Sequence, residues 1–239
     1  MKKNLGTFLA PMVALALVLG TDAGRAALIP IVNSDFESQS LSVGGYNNTS
    51  ITSWSKTGSD TGVYYPVTPT QYPNGSLTAD GHNMAYITGV GTIYQVLTGY
   101  TLAADSTYTL TFTVGHRADN TTGFSAYAEI INSSTSAVLG GNTTDITDPG
   151  TAGGNGHLQV ETLTFTTGSS VTAGQTLEVL LGNSTSSSQV NFDNISLDVV
   201  PEPVNVALAL FGIIAVGGIA GRRWLASRKN ALQSASVSS

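Results

Sequence analysis

The hydrophobic pattern of the chain alternates. Thr107 to Val114 reads TYTLTFTV, with Tyr108, Leu110, Phe112 and Val114 on one face and Thr109, Thr111 and Thr113 on the other. A period of two, carried by aromatic and β-branched residues, predicts a half-buried strand. Similar runs predict strands at Met84 to Ile87, Thr92 to Leu97, Ser125 to Ile131, Val160 to Thr166, Gln175 to Leu181 and Val190 to Val199. Turn-forming pieces separate them, among them Pro73-Asn74-Gly75, Ala79-Asp80-Gly81 and Asp148-Pro149-Gly150. No helical period of useful length occurs between residues 28 and 200, so the middle of the chain is expected to be all-β, a sandwich of short strands. In the last strand the apolar positions are even-numbered up to Phe192 and odd-numbered from Ile195 through Leu197 and Val199. Such a change of phase is what a β-bulge produces, and Asp193 sits at the break.

The two ends of the chain carry a different pattern. Lys2 and Lys3 precede an apolar run from Phe8 to Gly20, with small residues at Gly24, Ala26 and Ala27. That order predicts a secretory signal peptide over residues 1–27. At the other end, Pro201-Glu202-Pro203 leads into an uncharged apolar segment, 204–220, closed by Arg222, Arg223, Arg228 and Lys229. A helix of that length, at about 1.5 Å per residue, sits at the lower edge of what spans a bilayer, and the basic cluster predicts a cytoplasmic end. A polar tail, 230–239, follows.

Charge sharpens this division. Nine Lys and Arg stand against fifteen Asp and Glu in the whole chain, but residues 28–200 hold only Lys56 and Arg117 against thirteen acids, a net charge near −11. Such a field repels nucleic acid while leaving divalent cations and neutral glycans as partners. There is no cysteine, and His82, His116 and His157 fall at no metal-ligand spacing, which excludes disulfides and argues against zinc. There is no Gly-x-Ser-x-Gly elbow, phosphate loop or His-Glu-x-x-His, so the sequence is expected to encode a protein that is not an enzyme.

Asp193 between two core-facing sets needs a partner, and an early acidic turn, Asn33-Ser34-Asp35-Phe36-Glu37, offers Asp35 and Glu37 on one face. One reading makes these oxygens calcium ligands; the other leaves Asp193 bonded to loop amides and Glu37 in solvent. For a ligand surface, Tyr64, Tyr65 and Tyr72 lie in a Pro-rich, loop-like stretch suited to an aromatic platform, with His82, Asn83 and Arg117 as polar partners. Trp54 and Tyr108 are expected in the core, and Arg117 paired with Asp119 or another acid.

Two resemblances add to this. Pro201-Glu202-Pro203, the apolar span and Arg222-Arg223 resemble the PEP-CTERM sorting signal, which implies export in a Gram-negative bacterium, processing by exosortase, and transient anchoring in the inner membrane before release to the surface or matrix. The opening NSDFE, then Ile51-Thr52-Ser53-Trp54, the central TLAADSTYTLTFTVGHR and the closing QVNFDNISL resemble carbohydrate-binding-module-like jelly rolls of the galactose-binding-like kind. The same layout is similar to cyanobacterial cyclases that form indole alkaloids on a calcium-binding jelly roll. The resemblance implies adjacent first and last strands and a structural calcium held by Glu37 and Asp193, with carbonyls from Asn33 to Asp35. The function expected on this basis is non-catalytic binding of extracellular polysaccharide, with a purely structural matrix role as the rival. A cyclase-like enzyme is the remaining alternative, with Asp193 as a buried acid and a tyrosine as its helper; that role and calcium ligation by Asp193 exclude each other.

Overall fold

The computed structural model describes residues 26–67, 70–73, 81–146, 156–171 and 174–201. The compact unit Ala26–Val200 contains them almost entirely. Twelve strands run through it: β1 Ala27–Ile29, β2 Tyr46–Asn47, β3 Ser55–Lys56, β4 Asp60–Tyr64, β5 Met84–Thr88, β6 Gly91–Thr101, β7 Ser106–His116, β8 Ala126–Asn132, β9 Ala137–Ile146, β10 His157–Thr166, β11 Thr176–Asn183 and β12 Gln189–Pro201. No helix occurs among the described residues. The expected signal peptide and membrane span, with Glu202, Pro203, Arg222 and Arg223, lie outside the described residues; Pro201 closes β12.

The strands form two sheets. The larger runs β10-β7-β12-β5-β4-β2, with β1 also paired to β12, and the smaller runs β3-β6-β11-β8-β9. Every strand whose pattern alternates clearly is present, usually a residue or two longer than expected. Between the sheets lies the core. Tyr108, Leu110, Phe112 and Val114 of β7 meet Leu177, Val179 and Leu181 of β11, and all are essentially without exposure. Trp54 is buried against Phe36 with ring centroids 5.4 Å apart, and the Trp54 indole N–H donates to the Asn33 carbonyl at 3.0 Å.

The phase change in β12 has a visible cause. Gln189 to Phe192 pair with β5, whereas Leu197 to Val199 pair with β1, so the first strand does lie against the last. Between these stretches Asn194 takes a φ of 51° and the Ile195 N–H donates to the Ser34 carbonyl at 3.0 Å. One strand thus serves two neighbours in turn, and the left-handed residue moves its apolar set from one parity to the other.

Besides the short strands β1 to β3, two strands carry no clear alternation. In β4, Thr61 and Gly62 interrupt the apolar run, yet both are buried; a Cβ on Gly62 would strike the Asn47 and Asn48 backbone at the end of β2. In β9, Gly140-Gly141 reads as a turn. Gly140 instead lies beneath Phe165, where no side chain fits.

Candidate functional site

The alternation that fills the core also builds a second cluster on the other side of the large sheet. Val63, Ala85, Ile87, Val190 and Phe192 belong to the core, so their neighbours Tyr64, Met84, Tyr86 and Asn191 point outward. The register sets Tyr64 beside Met84, and Gly62 beside Tyr86, which stands beside Asn191. An outward face would ordinarily be wet. Here the segment after β4 crosses it and inserts Tyr72, so that Tyr64, Tyr72, Met84 and Tyr86 bury one another with Leu158 at their edge.

The polar contacts of this cluster are few and directed. The Tyr72 hydroxyl donates to Asn191 Oδ1 at 2.6 Å, and the Tyr64 hydroxyl donates to the Tyr72 oxygen at 3.3 Å. Tyr64 and Tyr86 meet edge to face, centroids 5.8 Å apart. The Arg117 guanidinium lies 5.5 Å from the centre of the Tyr64 ring, bonds Gln189 Oε1 at 3.1 Å through Nη1, and grips Asp119 with Nε at 2.8 Å and Nη2 at 2.5 Å. Gln71 extends the grip: its amide donates to Asp119 Oδ2 at 3.2 Å and its carbonyl accepts the Ala118 N–H at 2.8 Å. Tyr72 is therefore stapled from the residue before it.

Titration of these groups follows the geometry. Burial, foremost, raises the Tyr64 hydroxyl above the ordinary tyrosine range, with the charge of Asp193 among the lesser contributions, and burial likewise raises Tyr72. Burial alone would lower the Arg117 guanidinium, but the bonds to Asp119 outweigh it and leave the group raised. Burial alone would also raise Asp119; the bonds from Arg117 and Gln71 outweigh it and hold the carboxyl below its ordinary value.

The structure brings only some of the expected residues together. Tyr64, Tyr72 and Arg117 meet, but not as a platform: Tyr64 is 6% exposed and Tyr72 1% exposed. Their bulk is apolar, and the sheet supplies an apolar bed. Tyr65 and His82 instead stack on each other at 4.8 Å and 9°, next to the acidic turn. Asn83 is buried and donates to the carbonyls of Gln39 at 2.7 Å and Phe36 at 3.3 Å, a structural role. Met84, Tyr86, Leu158, Gln71, Asp119 and Asn191 complete the cluster. Asn191 had a sequence signal, a polar residue between core residues Val190 and Phe192; the approach of Gln71 and Leu158 had none.

The proposed metal ligands are also partly spent. Glu37 Oε1 accepts the N–H groups of His82 and Asn83, both at 2.5 Å, and Asp35 Oδ1 accepts the Glu37 N–H at 3.3 Å. The Asn33 carbonyl already accepts bonds from Trp54 Nε1 and the Phe36 N–H, so both of its lone pairs are used and it does not fit as a ligand. Among the described residues no hydrogen bond is made to Glu37 Oε2 or Asp35 Oδ2, and both suit a hard cation. Among the described residues there is no group of three or more His, Cys, Asp or Glu side chains placed to hold a metal ion. Away from this cluster a cleft of about 260 Å³ is lined by Leu102, Leu139, Phe165, Val171 and polar residues, none of them an acid or base.

The two-sheet all-β sandwich is similar to the fold of the Stig cyclases. The Stig cyclase Fisc from Fischerella sp. TAU, in complex with (3Z)-3-(1-methyl-2-pyrrolidinylidene)-3H-indole, matches with a TM-score of 0.61 at 22% identity, over 74% of this chain and 99% of that one. A cyclase from Fischerella sp. TAU in complex with 4-(1H-indol-3-yl)butan-2-one gives 0.60 at 22% identity, over 73% and 98%. An apo cyclase from Fischerella sp. gives 0.60 at 23% identity, over 74% and 97%. No curated protein matches the sequence. The chain belongs to the HpiC1-like family (HpiC1 cyclase), which it matches over residues 27–198, nearly the whole sandwich.

That membership overturns the expectation of a non-catalytic protein that binds or organises extracellular polysaccharide, and with it the expectation that the chain is not an enzyme. The physical reason is visible in the cluster: Tyr64 and Tyr72, expected to offer open rings to a sugar, are closed on each other and on Asn191. The cyclase alternative is the one the family supports.

Proposed function

We propose that this protein is a cyclase that closes a ring on a small aromatic, indole-bearing molecule at the outer face of the large sheet. The family match over the sandwich carries this reading. Indole ligands bound to the Fischerella cyclases suggest the substrate class. Asp193 is the acid: it lies one alternation beyond Asn191 along β12, half-buried, with Oδ1 accepting the Asn194 N–H at 2.8 Å, and it acts from its protonated form. Its proton adds to a carbon of the substrate's pendant double bond. The π electrons of the aromatic ring then attack the resulting cation, forming the new C–C bond. Loss of a proton from the attacked ring carbon restores aromaticity and returns a proton to the carboxylate. Atoms and electrons balance without an oxidant, so the product is an isomer of the substrate. Tyr64 and Asn191 orient the substrate, and the apolar wall of Met84, Tyr86 and Leu158 excludes water from the cation.

The full chain should convert an indole carrying a pendant alkene into a cyclic isomer of unchanged mass, read by chromatography and NMR. Asp193→Asn should lower turnover by about 100-fold or more, with a melting temperature close to wild type. An Asp193→Asn protein as active as wild type would remove the acid assignment, and no isomer from a panel of indolyl alkenes would remove the cyclase reading.

Calcium enters the proposal as a structural ion, held by the free oxygens of Glu37 and Asp35 rather than by Asp193, whose proton the chemistry needs. It would supply rigidity to the turn that abuts β12. Calcium is expected to raise the melting temperature and EGTA to reverse it; identical melts in both would exclude the ion. Export, through the first 27 residues and a membrane span at 204–220 handled by exosortase, is part of the same proposal; fractionation of cells expressing the tagged chain tests it.

A further inference from the structure

We propose that Tyr72 occupies an aryl slot as the protein's own stand-in for a ligand, and that the slot takes a planar heteroaromatic presenting a hydrogen-bond donor beside an acceptor once Tyr72 swings out. This deepens the cyclase reading by narrowing its substrate to indole-type molecules that carry an acceptor beside the ring N–H and by naming what guards the site, and it rests on that reading only for the place of the active site.

Three observations carry it. Tyr72 comes from a connecting segment outside the sandwich core, yet its side chain is 1% exposed. Burying a tyrosine so completely on the outer face of a sheet requires a recess the size of its ring, because interiors are close-packed. The sheet is cut away beneath it: a Cβ built on Gly115 of β7 would lie 2.8 Å from the Tyr72 oxygen and 2.7 Å from Leu158 Cδ2. A missing side chain on an otherwise side-chain-bearing strand makes the slot.

The third observation is chemical. Asn191 has no exposure, and its Oδ1 takes the Tyr72 hydroxyl while its Nδ2 has no hydrogen-bond partner. Exchanging the amide oxygen and nitrogen does not help, because one end of the amide remains unmatched either way. A phenol presents one polar atom to a group that offers a donor and an acceptor side by side. An occupant with a ring N–H next to a carbonyl would bond both, removing a standing cost of leaving a buried donor unmade. Tyr72 is thus an incomplete fit.

The restraint on Tyr72 is also of the kind that opens. Gln71 is tied to Asp119, whose side chain is 45% exposed, by a single bond of 3.2 Å. An exposed hydrogen bond for which water competes contributes little net stability. An occupant competes with Tyr72 for one place, so its apparent affinity is reduced by the fraction of time the slot is closed.

Oxindole, with N–H and carbonyl adjacent on a flat bicycle, is the probe, and indole, which lacks the acceptor, is the comparison. On the full chain, oxindole is expected to bind about tenfold tighter than indole, since a site with a buried donor rejects the ligand that leaves it unpaired. Tyr72→Phe, which keeps the ring but loses the bond to Asn191, should tighten oxindole binding by about tenfold. Asp119→Ala, with no atom in the slot, should act in the same direction and covers the case in which Tyr72→Phe fails to fold. Tyr72 should resist nitration by tetranitromethane in the free protein and become reactive at saturating oxindole, read by peptide mass spectrometry. Unchanged or weaker oxindole binding in a folded Tyr72→Phe protein, or a Tyr72 that stays protected when oxindole is bound, overturns the proposal. The two readings fail separately. Oxindole binding with exposure of Tyr72 but no ring closure would sink the cyclase and keep the slot, whereas ring closure with Tyr72 protected throughout would do the reverse.

Discussion

Phe192→Ala should destabilise the folded domain by about 3–5 kcal/mol. Phe192 has no exposure, stands on β12 between β5 and β7, and its ring centroid is 6.0 Å from that of Phe112 on the neighbouring strand β7, on the face that packs into the core. Removing the ring loses its transfer free energy and leaves a cavity that neither sheet can close, because β12 is fixed by hydrogen bonds on both edges. In a domain of this size the melting temperature should fall by roughly 10 °C. Val160→Ala is the control: Val160 is 65% exposed on β10, and its loss should stay within about 0.5 kcal/mol. Urea unfolding of both proteins checks this, and a Phe192→Ala loss below about 1 kcal/mol would mean that the two sheets are not packed as described.

Glu37→Ala should be the most damaging change outside the core, at about 3 kcal/mol. One carboxylate oxygen accepts two backbone N–H groups, those of His82 and Asn83, and alanine leaves both without that partner. Bonds to a charged acceptor are the stronger kind, and the residues they hold lead directly into Met84, Tyr86 and the active face. Glu37→Gln retains an acceptor oxygen and should lose about half as much. If calcium is held where proposed, Glu37→Ala also removes the calcium-dependent rise in melting temperature. Denaturant melts of the three proteins with calcium and with EGTA separate the contributions: a wild-type-like Glu37→Ala in EGTA would show that the two amide bonds contribute little.

These two residues differ in how readable they were. Phe192 is announced by alternation, because a strand with one face in the core must repeat every second residue. The same rule located seven strands and the break at Asp193, since a parity change has few causes other than an extra residue. It passed over β4 and β9, where Gly62 and Gly140 fit only because the Asn47–Asn48 backbone and Phe165 lie against them. Glu37 was legible as an acid on a turn, but not as a clamp on residues 45 positions away.

The active face shows the limit most clearly. Local pattern implied that Asn191 turns away from the core, and it offered Tyr64 and Tyr72 as loop aromatics free to meet a ligand. Whether an outward face is bare or covered depends on which distant segment returns to lie on it, and no period in the chain encodes that. The sequence by itself determined an all-β sandwich, its core strands and its acidic charge, because each follows from neighbours along one strand or from counting. Only the tertiary structure decided that Tyr72 closes on Asn191, that Gly115 makes room for it, and that Arg117 and Asp119 fasten it, because those contacts join residues brought together by folding alone.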